Sequence, residues 1–278
     1  MTTSSPVVRR RRLGQELTQL RIGAGLKANE AAERVEWSAS KLSRLEAGRT
    51  VAPSLADVMR LLDLYRVADP NQREKLAILT REARKKGWWQ LYSDIPYSTY
   101  IGLEAAAESI LTYEHVVPGL LQTRRYAEEI NRATAPGLSD EVLEQRVDVR
   151  IQRQQVISGM SPLEVRAVLD ESAIRRTVGG KDVMREQLAH LLEVADLPNV
   201  LLQVIPFSTG AHPGTLAGPF IILKFPDQED PDVVYVEANS DQYPSDVQRY
   251  EVLFDNLRAS AVSVPQTLAL IRNMVKEL

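Results

Sequence analysis

Cysteine is absent from the 278 residues. That absence excludes disulfides, thiolate zinc sites and thiol nucleophiles together, and it agrees with a cytoplasmic chain. Histidine is scarce as well, present only as His115, His190 and His212. A histidine-rich metal centre is therefore not expected, and neither a metal nor a cofactor is assigned. No run of about 18 apolar residues occurs, so no membrane-spanning helix is expected. The polar N-terminus leads into Arg9, Arg10, Arg11 and Arg12 with no apolar stretch behind them, unlike a secretion signal.

What is present is enough for a folded protein of more than one domain. At 44% hydrophobic and 26% charged residues, the chain can bury a core and is neither fibrous nor disordered. Its length exceeds the usual single domain. The net charge of −3 conceals an uneven split: residues 1–90 carry 18 Lys and Arg against 10 Asp and Glu, and residues 91–278 carry 16 against 27. A basic module followed by an acidic one suits a polyanion at one end and repulsion from it at the other. Incidental solubility is the plainer explanation of such a split.

Apolar periodicity divides the basic part into five short helices. Leu13, Leu17 and Leu20 share one face, and Gly23 and Gly25 end that helix. A second helix spans about Lys27–Val35, with Ala31, Ala32 and Val35 inward. Ser38 can cap a third, which carries Leu42 and Leu45 and ends at Ala47-Gly48. Two more follow Pro53-Ser54 and Asp69-Pro70. The tight join between the second and third helices is the helix-turn-helix arrangement.

Beyond Lys85-Lys86-Gly87 the composition changes, and Trp88, Trp89, Tyr92, Tyr97 and Tyr100 crowd into 13 residues. They make either a packing seam or the roof of a ligand pocket. Helices are expected over about 101–113, 121–132, 139–158, 181–195, 245–258 and 265–276. Strands are expected near 163–169, 201–205, 220–225 and 233–237, forming a small antiparallel sheet. The reading is a mainly α protein of two domains, a five-helix bundle with a helix-turn-helix over 1–86 and an α+β domain over 87–278. One helix of the second domain bears Arg146, Arg150 and Arg153 on a single face, to be solvated or paired with Glu144 and Asp148.

Leu13-Gly14-Gln15-Glu16-Leu17, Leu20-Arg21, Gly25-Leu26, Ser40 through Arg49 and Pro53-Ser54 resemble the phage-repressor-like (Xre/Cro) helix-turn-helix family over roughly residues 12–68. The resemblance implies that the third helix enters the DNA major groove with Ser38, Ala39, Ser40, Lys41, Ser43 and Arg44 exposed. It also implies that Arg21 and Glu46 pair structurally. Arg44 has the chemistry to bond guanine bidentately, and Lys41 to reach guanine or phosphate. Ser38 and Ser40 either hold a phosphate or simply cap the helix. Arg49 joins this DNA-facing set, and Lys27 replaces the usual capping Thr or Ser and the following Gln as a phosphate ligand. Glu36 stands where the family places Gly, at a cost of about 1 kcal/mol if its backbone is left-handed. Trp37 is read as a plug beneath the turn. Arg9, Arg10, Arg11 and Arg12 form a solvated tail, a phosphate clamp or a minor-groove arm, the clamp being preferred.

The second half resembles the domain of unknown function DUF5753 found behind such modules in actinobacterial regulators. The matching phrases are Glu104-Ala105 with Tyr113-Glu114, Val117 through Thr123 with Tyr126-Ala127, Arg150 through Gln154, Leu169 through Ser172, Gln187-Leu188 to Leu191, Val204 through Phe207 with Gly210, and Tyr235-Val236-Glu237. The resemblance implies a transcriptional regulator, often accompanied by a small partner protein, and implies no chemistry. Trp88, Trp89, Tyr100, Glu104, Tyr113, His115, Gln122, Tyr126 and Glu237 are the candidate site for a small-molecule effector or partner protein. An enzyme would draw on carboxylates such as Glu104, Asp170 and Glu237 with His115 or His212, but no ordered nucleophile, metal spacing or phosphate loop accompanies them. The expected partners are double-stranded DNA and a second copy of the chain, because one short helix reads only a few base pairs. An antitoxin-like module that regulates its own synthesis is the alternative.

Overall fold

The computed structural model describes residues 5–92, 97–236 and 246–278. The backbone forms two compact units. The first runs through Leu91 and takes in Ser98–Ala106 and Asp227–Asp230, and the second comprises Tyr92–Tyr97, Ala107–Pro226 and Pro231–Leu278.

The first unit contains α1 (Pro6–Gly23), α2 (Ala28–Arg34), α3 (Ala39–Glu46), α4 (Leu55–Leu64), α5 (Pro70–Ala83), a 3-10 turn at Trp88–Leu91 and α6 (Ser98–Glu104). Local chemistry fixes the starts. Ser5, Ser38, Ser54 and Asp69 each accept a hydrogen bond from a first-turn amide, and Pro6 and Pro70 open α1 and α5. The expected first helix begins earlier than Leu13, because Ser5 and Pro6 already supply its cap. Leu13, Leu17, Ala31, Leu42, Leu61, Leu62 and Leu76 form the shared core. Gly14 lets α1 lie against the end of α3, since a Cβ there would sit 2.1 Å from the Glu46 carbonyl oxygen.

The second unit is built on a five-stranded sheet in the order β3-β2-β1-β4-β5. Its elements in chain order are β1 (Ser109–Glu114), α7 (Arg124–Thr134), α8 (Asp140–Arg153), α9 (Gln155–Ser158), β2 (Glu164–Asp170), α10 (Ser172–Arg175), α11 (Lys181–Val194), β3 (Val200–Ile205), α12 (Gly214–Ala217), β4 (Phe220–Lys224), β5 (Val233–Tyr235), α13 (Val247–Ser260) and α14 (Val264–Glu277). β1 pairs parallel with β2 from Ser109↔Glu164 to Glu114↔Leu169, and β2 pairs parallel with β3. β4 is antiparallel to β1 and to β5. Tyr113, Val168, Phe220, Ile222 and Val234 pack with Phe254 and Leu257 of α13.

Two expectations need correction. The sheet is mixed rather than antiparallel, because the long helical segments between β1 and β2 and between β2 and β3 are the crossovers that parallel strands require. The helix expected over 101–113 is instead α6 followed by β1. Ile110-Leu111-Thr112-Tyr113 is a short β-rich run that periodicity alone does not separate from a buried helix.

Candidate nucleic-acid interface

The helix-turn-helix is α2, a short turn and α3. α2 closes with the amide of Glu36 donating to the Glu33 carbonyl and that of Trp37 to the Ala32 carbonyl. This pair of hydrogen bonds requires a left-handed residue, and Glu36 adopts φ 57°. α3 ends in the same way through Gly48 at φ 67°, with the Arg49 amide donating to the Arg44 carbonyl at 2.8 Å. Glu36 thus carries a backbone cost that Gly48 avoids.

The exposed face of α3 follows from its apolar face. Leu42 and Leu45 are buried, so Ser38, Ala39, Ser40, Ser43 and Arg44 face outward, with Arg49 and Lys27 also exposed. Ser38 is a cap, its hydroxyl accepting from the Lys41 amide at 3.2 Å. The Ser40 hydroxyl accepts from Arg44 at 2.7 Å, orienting the guanidinium along the helix. Lys41 is half-buried, its Nζ 2.8 Å from Asp57 and 3.9 Å from the Trp37 ring centroid. Trp37 itself is half-buried against the core. Among the described residues, Lys27, Arg44 and Arg49 have no carboxylate in ion-pair contact, so their charge remains available to a polyanion.

Two contacts hold this face in place. Arg21 Nε lies 2.7 Å from Glu46 Oε1 and Nη2 3.1 Å from Oε2, while Nη1 donates to the Leu26 carbonyl at 2.9 Å. The hydrogen bond to Glu46, more than its charge, holds the Arg21 guanidinium above its ordinary range. Burial, and then the Glu46 charge, push the Tyr65 hydroxyl up as well.

The arginine run lies in α1 and is not a tail. Arg10 is buried and donates to the Val51 carbonyl at 3.2 Å. Desolvation lowers its pKa. Arg12 is buried against Asp227, at 2.8 Å, and Glu229. Arg9 reaches Glu82 at 3.1 Å, and Arg11 is half-buried. Charges committed in this way leave little for a phosphate clamp.

In the second unit, side-chain amides lace down the loop from Val117 to Thr123. Gln122 donates to the Val117 carbonyl at 2.7 Å, and Gln154 donates to the carbonyls of Gly119 and Gln122 at 3.2 and 2.6 Å. Gln187, fully buried, donates to the Leu121 carbonyl and accepts from the Thr123 amide, both at 2.7 Å. The Tyr126 hydroxyl accepts from the Val117 amide at 3.4 Å. Tyr113 is buried at the carboxyl end of β1, its hydroxyl 3.1 Å from His115 Nε2. At the end of β2, Asp170 Oδ2 lies 3.8 Å from His212 Nε2, whose Nδ1 accepts from the Gly214 amide. Burial, with the Asp170 charge second, raises the Tyr113 hydroxyl.

Residues 97–273 match the family described as Domain of unknown function (DUF5753), and residues 12–76 match a helix-turn-helix domain. The chain belongs to the DUF5753 family. No curated protein and no solved structure matches it.

The candidate effector residues are divided between the two compact units. Trp88, Trp89, Tyr100 and Glu104 belong to the first compact unit, where the Tyr100 hydroxyl donates to buried Glu104 at 2.8 Å. Tyr113, His115, Gln122 and Tyr126 belong to the second, near the carboxyl ends of its parallel strands. Glu237 lies outside the described residues. Asp57 was not singled out by sequence, and Gln154 and Gln187 stood only in phrases shared with the DUF5753 domain and were given no role, because each acts on a partner at least 16 positions away in the chain. No group of histidines and carboxylates among the described residues is arranged to hold a metal, and no helix among them is long and apolar enough to cross a membrane.

Proposed function

We propose that this DUF5753 protein is a sequence-specific DNA-binding transcriptional regulator, with α3 as its recognition helix and its C-terminal unit as the controlling element. The observation that supports it is the outward face of α3, where Arg44 stands free of carboxylates beside Arg49 and Lys27. A guanidinium there suits bidentate bonding to guanine, and the flanking cations suit phosphates. The protein acts as a dimer, since paired half-sites extend the few base pairs one helix reads. The C-terminal unit acts by binding a small ligand or partner protein and not by catalysis, and the chain works in the cytoplasm beside its DNA.

Recovery of DNA bound by the full-length protein in cells, followed by anisotropy titration of the enriched duplex against a scrambled one, tests the reading. A specific affinity at least about a thousandfold tighter than the scrambled one is expected. Equal affinities would reject it.

A further inference from the structure

The turn that joins α2 to α3 is bracketed by α4 through two ion pairs of opposite polarity. Asp57 and Arg60, three positions apart in α4, share one face of that helix. Asp57 Oδ2 lies 2.8 Å from the Nζ of Lys41 in the first turn of α3, and Arg60 Nη2 lies 3.4 Å from the Oε2 of Glu36 in the turn itself. The two pairs are unequal. Glu36 is 86% exposed, so its pairing with Arg60 is worth little. Asp57 and Lys41 are only 31% and 42% exposed, and they have a third member in Trp37, whose ring centroid is 3.9 Å from the ammonium. Trp37 packs against the core of the first unit, so a seated ring and a carboxylate hold Nζ from two sides.

Asp57 is itself anchored. It stands in the first turn of α4, where the helix dipole favours a negative charge, and its amide donates to the Ser54 hydroxyl at 3.4 Å. A phosphate that drew Lys41 away would exchange one anion for another and leave the Asp57 carboxylate bare beside the nucleic acid. While the pair is closed, Lys41 therefore adds little to counterion release. Lys27, Arg44 and Arg49 differ in this respect, since none of them meets a carboxylate among the described residues.

We propose that Asp57 is a positioning residue for DNA recognition: it holds Lys41 against Trp37 and away from phosphates, and so suppresses binding to arbitrary sequence. The inference rests on the reading of α3 as the recognition helix. It replaces the expected role of Lys41, a ligand of guanine or phosphate, with membership of a neutral, preset surface. Specificity is a difference of two affinities, and lowering the nonspecific one raises it as surely as a new base contact does. On arbitrary DNA the protein meets phosphates in every register, and each unpaired cation adds to binding. On its own site the register is set by base contacts, so a further cation finds a phosphate only where that register puts one.

The test uses the full-length protein, titrated by anisotropy against the enriched and the scrambled duplex over a series of salt concentrations. Asp57→Asn should tighten the scrambled duplex at least about threefold at low salt and steepen the fall of log K with log salt by about one unit, the share of one freed cation. Asp57→Ser, which keeps a small hydrogen-bonding side chain in the first turn, should do the same. The enriched duplex should gain less, so the ratio of the two affinities should fall. Lys41→Gln should weaken both duplexes, because it leaves Asp57 uncompensated. Asp57→Asn combined with Lys41→Gln should restore the affinities and the slope of the unsubstituted protein, which the loss of a phosphate-binding Lys41 could not do. Asp63→Asn makes the same change in net charge at the other end of α4, where the partner is Arg73, and should move the scrambled affinity less. An unchanged slope in both Asp57 variants, a double variant whose slope is shallower than that of the unsubstituted protein by about one unit, or an Asp63→Asn effect as large as that of Asp57→Asn would each overturn the proposal. An unsubstituted protein that binds both duplexes alike would reject α3 as a reader of sequence, and the slopes on the scrambled duplex would still decide whether Asp57 withholds Lys41.

Discussion

Arg21 grips both carboxylate oxygens of Glu46, 25 positions away, and in doing so ties the end of α1 to the end of α3. Both side chains are about nine-tenths buried. Removing one partner strands the other charge where water reaches it poorly, whereas removing both leaves only a packing defect. Arg21→Ala and Glu46→Ala should each destabilise the full chain by about 2–4 kcal/mol, and the double variant should cost less than their sum by about 1 kcal/mol or more. Urea melts of the four proteins in the cycle decide this, and strict additivity would show that the two residues are uncoupled.

The approach of α1 to α3 depends equally on the missing side chain of Gly14. A methyl group there would collide with the backbone of Leu45 and Glu46, which has no flexible end to move aside. Gly14→Ala should therefore destabilise by about 1–3 kcal/mol or more, despite the better helix propensity of alanine. Gly23 on the same helix has nothing within 4 Å and no left-handed backbone, so Gly23→Ala should be neutral or stabilising by up to about 1 kcal/mol. Similar losses at both sites would mean that helix packing is not what Gly14 serves.

What sequence revealed and what it concealed divide by distance along the chain. Ser38, Ser54 and Asp69 announced their helices because a cap and its amide lie two or three residues apart. The inward leucines of α1 and α3 were legible for the same local reason. The fate of the arginine run was not, since the partners of Arg10 and Arg12 lie as far off as Val51, Ala83 and Asp227. Strand direction was hidden too, because an apolar strand carries no mark of parallel or antiparallel pairing. Gln122 and Tyr126 came from family likeness alone, and nothing in their spacing disclosed that both meet the backbone of Val117.

Alkaline pH should weaken the fold. Burial raises the hydroxyls of Tyr65, Tyr113 and Tyr126, and the hydrogen bond from Lys224 to Glu251 raises the Lys224 ammonium. Each folded pKa lies above its unfolded value, so the stability these groups contribute is fully present below about pH 10, the unfolded tyrosine range, and is lost as pH climbs through the folded values. Urea midpoints should be flat from pH 8 to about 9.5 and then fall. Tyr113→Phe should shrink the fall, and a midpoint level up to pH 11 would contradict the burial of these hydroxyls.

Specific contacts, nonspecific contacts and structural arginines should separate in DNA binding. Arg44 lies on the open face of α3, and a base-reading guanidinium matters only where its guanine is present. Arg44→Ala should therefore cost about 1–3 kcal/mol on the enriched duplex and little on a scrambled one. Lys27→Ala and Arg49→Ala should weaken both duplexes alike, and each should flatten the dependence of log K on log salt by about one unit, the share of one neutralised phosphate. Arg10→Ala and Arg12→Ala should behave differently again, because these side chains are already buried against carbonyls and carboxylates. Their loss should lower the melting temperature and leave the salt slope of the still-folded protein unchanged. A reduced slope in Arg10→Ala or Arg12→Ala with no loss of stability would restore the run as a phosphate clamp and show that its internal partners release it when DNA binds.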